Sequence, residues 1–411
     1  MRMRKLPVLV AVFALALGAC AKDDDNADKK DKANASATAP GKDATKIGFL
    51  YVGSKDDYGY NQAAYEGSLA VGEEFPDIEV LQAENVAENS SAVGPVMERM
   101  IDRGATIIFA TSYGHLTPAL EVAKKHPDVV VVHQGGLEPE PKLDNVGTYF
   151  GTVYEPVYLA GIAAGKATKT GKLGYIAAIP IPQTLANVNA FTLGAQSVRA
   201  DATTTVVFTK DWCAPSTQAE AARSLLSQGI DVVTQHQDCT KTIIETVESA
   251  GAMSVGYHYD ASELAPKGWV AGSEWNWGPL FVDIVKTIIA GDFVGSKYDG
   301  DYRAGLRTGD NPFIASKLGS MVDAATKTLM DDAETRFSST GSPFTGPVLD
   351  QDGKVKVKDG ETPDYATIAR AFDGYGARVE EPGELRPALE RGLKEIASGR
   401  VALIDVWLEP V

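Results

Sequence analysis

The chain has 411 residues, 44% of them hydrophobic and 23% charged, the composition of an ordinary folded protein long enough for two or three domains. Its formal net charge of −16, with no extended cluster of Lys and Arg, excludes nucleic acid as a partner, because phosphate binding needs concentrated basic side chains to displace counterions.

Residues 1–20 carry three basic side chains in the first five positions, then an apolar run over 6–17, then Gly18-Ala19-Cys20, the form of an export signal. The run is too short to span a bilayer. Leu17-Gly18-Ala19-Cys20 resembles the lipobox of bacterial lipoproteins, which implies that Cys20 becomes the lipidated first residue of the mature chain. Residues 21–45 hold Asp23-Asp24-Asp25, Lys29-Lys30 and small residues with scarcely a large apolar side chain, which predicts a disordered tether.

From residue 46 apolar runs and helical patterns alternate. Strands are predicted over 47–52, 78–82, 105–110, 129–133 and 145–150, and helices over 61–74, 93–103, 117–125 and 156–168. Near residue 170 the pattern restarts, with strands over 172–177, 204–210, 232–235, 253–257 and 269–273 and helices over 184–197, 218–228, 240–249 and 279–290. Such alternation predicts an α/β fold of two doubly wound parallel-sheet lobes, 46–168 and 169–290, joined by a hinge, with 291–361 returning to the first lobe. The strands are near-continuous apolar runs, as strands buried on both faces should be. Besides Cys20 there are two cysteines, Cys213 and Cys239, each following a strand end with one helix between. A disulfide and a pair of buried free thiols both fit that placement.

In open α/β sheets ligands bind at the carboxyl ends of the strands. The corresponding loops are 56–61, 111–115, 134–136 and 152–155 in the first half, and 179–183, 212–215, 236–238, 257–260 and 274–277 in the second. They are rich in aromatics and carboxamides, which grip a flat ring and pair with its edge. The five histidines lie singly, without zinc spacing. No nucleophile elbow, dinucleotide fingerprint or phosphate loop occurs, so neither an enzyme nor a bound cofactor is expected.

The stretch from Asp56 to Gly67, DDYGYNQAAYEG, closely resembles the signature of the basic membrane protein (BMP) family of lipoproteins, purine-binding receptors of ABC transporters with a type I periplasmic-binding-protein fold. Further similar runs are Ala110-Thr111-Ser112-Tyr113-Gly114, GTYFG over 147–151, Gln235-His236-Gln237-Asp238, Gly256-Tyr257-His258-Tyr259-Asp260, Trp275-Asn276-Trp277-Gly278 and Phe344-Thr345-Gly346-Pro347. The resemblance spans about 46–361. It implies that Tyr60 stacks on a purine from the first lobe and Trp212 from the second, with Asn61 and Asp238 near the base and Asp260 in the segment that reaches ribose. Ser112, Tyr113, Tyr257, Trp275 and Asn276 complete the implied site.

His258 stands where an acid is expected, and Trp275-Asn276-Trp277 where nucleoside-binding members carry a lysine-bearing segment, which favours a free base such as adenine over a nucleoside. The implied protein is a monomer, held to the cell membrane by its lipid, facing the periplasm or cell exterior and partnered by an ABC permease. A receptor for another solute, a sugar or autoinducer, is the alternative. The last residues, 362–411, resemble the C-terminal piece of thiamine-diphosphate enzymes of the acetolactate synthase type, with a helix over 364–372, strand 378–379, helix 384–398 and strand 401–407. The GDG and asparagine that hold magnesium and diphosphate there are missing, so the tail reads as a fused fragment without cofactor.

Overall fold

In the computed structural model, which describes residues 39–137, 139–340, 342–344, 348–349, 355–357, 375–379, 382–397 and 402–406, the expected apolar runs become strands. The first lobe is built from β1 (Lys46–Leu50), α1 (Tyr60–Glu74), β2 (Glu79–Ala83), α2 (Ser90–Asp102), β3 (Ile107–Ala110), α3 (Leu116–Ala123), β4 (Val130–Gln134) and β5 (Val146–Gly151). After α4 (Tyr154–Ala167) come β6 (Lys172–Ala177), α5 (Pro182–Gln196), β7 (Thr203–Phe208), α6 (Pro215–Ser227), β8 (Val232–His236), α7 (Lys241–Ser249), β9 (Met253–His258) and β10 (Trp269–Trp275). The chain then runs through α8 (Gly278–Ala290), β11 (Asp301–Ala304), β12 (Phe313–Ala315) and α9 (Ala324–Thr340).

One sheet has the order β2-β1-β3-β4-β5-β11, all parallel, and the other β7-β6-β8-β9-β10-β12, parallel except for β12 against β10. This is the doubly wound 2-1-3-4-5 order twice over, whose switch point lies between the first and third strands of each lobe. The strands carry the core. Phe49 of β1 stacks on Phe109 of β3 at 4.5 Å, and both meet Phe281 of α8.

The lobe boundaries differ from those expected. Helix α4, predicted to close the first lobe, packs on α5 of the second, so tightly that a Cβ on Gly161 would lie 2.3 Å from the Phe191 carbonyl oxygen. Helix α8, predicted for the second lobe, packs on α1 of the first: a Cβ on Gly67 would meet Trp277 and Phe281 at 2.7 and 2.8 Å. Each helix has crossed over because the chain passes between lobes after β5 and again after β10. It crosses a third time between β11 and β12, so 291–340, expected to return to the first lobe alone, serves both: β11 extends the first sheet, while β12 caps the second through fully buried Phe313. Gly161→Ala is therefore expected to cost about 1–3 kcal/mol, since backbone cannot yield as a side chain can. Guanidinium unfolding with an unchanged midpoint would contradict the close packing.

Part of the stretch predicted as tether is built into the fold. Residues 39–45 are anchored on the first lobe, Gly41 N–H donating to Asp128 O at 3.0 Å and Asp43 N–H to Ile289 O at 3.2 Å. The export signal, Cys20 and the tail helix expected over 364–372 lie outside the described residues. In the tail, β15 (Tyr375–Val379) and β16 (Ala402–Val406) pair in parallel, joined through α10 (Pro382–Ala397), and an antiparallel pair, β13 (Val348–Leu349) and β14 (Val355–Val357), precedes them. Among the described residues no helix is long and apolar enough to cross a membrane.

Candidate ligand-binding cleft

The loop after β1 is shaped by Asp57. Its buried carboxylate accepts from the backbone N–H groups of Gly59 at 2.9 Å, Asn61 at 3.1 Å and Gln62 at 3.0 Å, satisfying the first turn of α1. Burial lifts its pKa to about 6 against these hydrogen bonds. Asn61 belongs to the same brace: its Nδ2 donates to Asp57 at 2.8 Å and its Oδ1 accepts from Gly53 N–H at 3.0 Å. Tyr60 is thereby fixed at the start of α1 with its ring turned into the cleft, 7% exposed and 5.0 Å from the ring of His258. Burial drives its phenol far above the ordinary range.

Across the cleft the loops after β7 and β8 are tied by a disulfide between Cys213 and Cys239, with Cα atoms 5.2 Å apart. The residue before each cysteine faces the cleft. Trp212 and Asp238 are further locked by Asp238 N–H donating to the Trp212 carbonyl at 2.8 Å. The Asp238 side chain is 7% exposed, and among the described residues no group donates to its carboxylate. Burial first, then the charges of Asp57, Glu88 and Asp211, push its pKa well above the carboxylate range.

Around these groups lies a partly open slot at the switch points of both sheets. Tyr60, Ser112, Tyr113, Gly135 and Phe150 line it from the first lobe, and Gln183, Trp212, His236, Asp238 and His258 from the second. It spans ≈ 380 Å³ of space between atoms, open solvent at its mouth included, and only ≈ 30 Å³ admits the centre of a water molecule, so it is thin in at least one direction. Ser112 is oriented by donating to Glu88 at 2.6 Å, and Gly114 N–H reaches the same carboxylate at 2.7 Å. His236 accepts at Nδ1 from Asn187 at 3.1 Å, and burial keeps it neutral, with its pKa lowered to about 3.

Five residues expected from the sequence line this slot together: Tyr60, Ser112, Tyr113, Trp212 and Asp238. The other five stand off it. Asn61 braces the loop. Tyr257 packs behind His236 with ring centres 4.5 Å apart, its hydroxyl accepting from Asn187 at 2.7 Å. Trp275 is a second layer behind His258 and Phe150, while Asp260 accepts from Ser262 N–H at 3.0 Å in a turn. Asn276 lines a separate surface cavity with Asp283 and Lys297. Gly135, Phe150, Gln183, His236 and His258 fall in or beside the loops named from the sequence, yet alternation alone does not tell which of their side chains turn inward. Among the described residues no group of His, Cys, Asp and Glu could hold a metal ion.

The two lobes also meet directly beside the slot. Tyr60 N–H donates to Asp238 O at 3.1 Å, Thr240 N–H to Asp57 O at 3.3 Å, and Thr240 Oγ1 to Tyr58 O, all between lobes. Tyr58 O–H to Glu263 at 2.8 Å and Tyr259 O–H to Glu66 at 2.7 Å continue this seam along one rim.

The family model described as ABC transporter substrate-binding protein PnrA-like matches residues 44–310. A purine-binding protein of Brucella abortus is 34% identical over 341 residues, covering 82% of this chain and 93% of that protein. A putative ABC transporter glucose-binding protein of Haloferax volcanii is 29% identical, covering 72% of this chain and 75% of that one. The ABC transporter solute-binding protein of Aeropyrum pernix K1 superposes with a TM-score of 0.62 at 17% identity, covering 75% of this chain and 94% of that one, a likeness of fold. The chain belongs to the Bmp family of ABC transporter substrate-binding proteins, which carry solutes to a permease and are not enzymes.

Proposed function

We propose that this protein is a receptor for a purine base of the adenine type, anchored to the membrane by a lipid on Cys20 and presenting its ligand outside the cytoplasm to an ABC permease. The observation that carries the reading is Asp238, a buried carboxylate between aromatic walls that lacks a donor among the described residues. A buried carboxylate in that state costs stability unless a ligand supplies an N–H. The ring nitrogens and exocyclic amine of a purine do so, while Tyr60 and Trp212 offer faces for its ring, each worth about 0.5–1.5 kcal/mol beyond area burial. The name of the Brucella relative points the same way.

A bare base suits the thin slot. A chamber beside it shares Tyr113, Gly135, Phe150 and Gln183 and would take the sugar of a nucleoside. The name of the Haloferax relative supports a sugar as the second reading, although among the described residues no Lys or Arg lines the slot to clamp hydroxyls. Calorimetric titration with adenine, guanine, hypoxanthine, adenosine, inosine and glucose separates these. Saturable one-to-one binding, tightest for a free base, is expected. Heat from glucose and none from any purine would overturn the assignment and leave the fold untouched.

A further inference from the structure

His258 closes β9 in the left-handed backbone region, φ +73, an uncommon conformation for a residue with a side chain and one that clusters at ligand sites. It is 2% exposed and lines the slot. Behind it the Trp275 indole N–H donates to its Nδ1 at 2.8 Å. An indole nitrogen can only donate, so Nδ1 must carry a lone pair. The imidazole is then neutral, and its single proton sits on Nε2.

Nothing among the described residues bonds to that Nε2, and His258 lines the slot, so the slot is the open space available to its N–H. His236, the neighbouring imidazole at 5.6 Å, meets His258 edge to face and is engaged by Asn187 and Tyr257. Trp275 is itself fixed by stacking on Trp277 at 4.2 Å and by Phe150 and Phe313, so the donor that sets the tautomer cannot rotate away. The slot therefore presents two complementary groups, an acceptor at Asp238 and a donor at His258.

We infer that His258 is a specificity-determining residue that donates its Nε2–H to an unprotonated ring nitrogen of the ligand, and that Trp275 is the positioning residue that holds it in the donating tautomer. The inference rests on the purine reading and narrows it: the ligand must offer a ring-nitrogen acceptor to His258 as well as an N–H to Asp238. A ligand with N–H groups at both places is rejected, because two donors would meet.

The test uses the 1-, 3- and 7-deaza analogues of adenine, each of which replaces one acceptor nitrogen by C–H. Titrated against the whole protein, one analogue is expected to bind at least tenfold more weakly than adenine. In Trp275→Phe, which keeps an aromatic ring and removes the N–H, that penalty should shrink severalfold. Nitrogen-15 NMR of the wild-type protein should show His258 protonated at Nε2 and bare at Nδ1, with a tautomer mixture in Trp275→Phe. Equal binding of adenine and all three analogues would overturn the inference while leaving the purine reading standing, as would a proton found on Nδ1. Failure of adenine itself to bind, together with the other bases, would instead remove the purine reading; the NMR result then decides the tautomer alone. His258→Gln, which restores a neutral donor, is expected to recover more of the discrimination than His258→Ala, an order a purely structural role would not produce.

Discussion

Asp238→Asn is expected to raise the stability of the ligand-free protein at pH 7 while weakening adenine binding about tenfold, or roughly 1.4 kcal/mol. In the unfolded chain this carboxyl is ionised at neutral pH; in the folded protein burial and three neighbouring carboxylates raise its pKa, so the native state either holds a proton or buries a charge. Both options are unfavourable, and the amide removes both. The gain, about 1–3 kcal/mol on the scale of an unpaired buried polar group, corresponds to roughly 2–4 °C in Tm for each kcal/mol. The sign with pH follows from a raised pKa. The destabilisation is fully present above the folded value and disappears as pH falls through the ordinary carboxylate range, where the unfolded chain is protonated too. Thermal melts from pH 3 to 8 should therefore show the two proteins converging in acid and separating toward neutrality. A variant less stable than the parent at pH 7 would mean that Asp238 has a structural donor.

The second large effect concerns closure. A Cβ on Gly59 would lie 1.8 Å from the Asp238 carbonyl oxygen and 2.9 Å from its carbon, at the point where Tyr60 N–H crosses to that same oxygen. Both atoms are backbone of Asp238, on the lobe opposite Gly59. Gly59 has φ −157, outside the left-handed region, so alanine there meets no left-handed strain, and the contact across the cleft dominates its effect. Gly59→Ala should keep the lobes from seating and lower adenine affinity at least tenfold, about 1.4 kcal/mol or more. The ligand-free Tm should move little. Small-angle scattering at saturating adenine should give a larger radius of gyration for the variant than for the parent. Adenine binding as tight as in the parent would show that the seam between the loops after β1 and β8 does not govern closure.

Much of this architecture was legible because buried parallel strands advertise themselves as apolar runs, and ten of the strands fall within a few residues of where those runs lie. What could not be read was which lobe a helix serves. The apolar stripes of α4 and α8 show that each packs on something, and only the crossovers after β5 and β10 decide on what. Strands β11 and β12 are short, and α9 buries little beyond Met330, Ala333 and Phe337, too sparse a stripe to stand out.

At the site, the resemblance pointed to Tyr60 and Asp238 through the distinctive runs that hold them and to Trp212 as the counterpart of Tyr60, and all three line the slot. It placed Asn61 among the ligand contacts, where the structure has it bracing Asp57; a carboxamide in a loop has the same sequence signature in either role. His258 and Trp275 stood out as departures from the family pattern. Their relation, one orienting the other, depends on a positive φ and a 2.8 Å hydrogen bond between adjacent strands, neither of which leaves a trace in composition or periodicity.

The most direct test of the account is a crystal structure of the protein grown with adenine. The account predicts the base in the slot at the carboxyl ends of both sheets, its ring against Tyr60 and Trp212 and an N–H of the base within hydrogen-bonding distance of the Asp238 carboxylate. Adenine bound elsewhere on the protein, with this slot left to solvent, would contradict it.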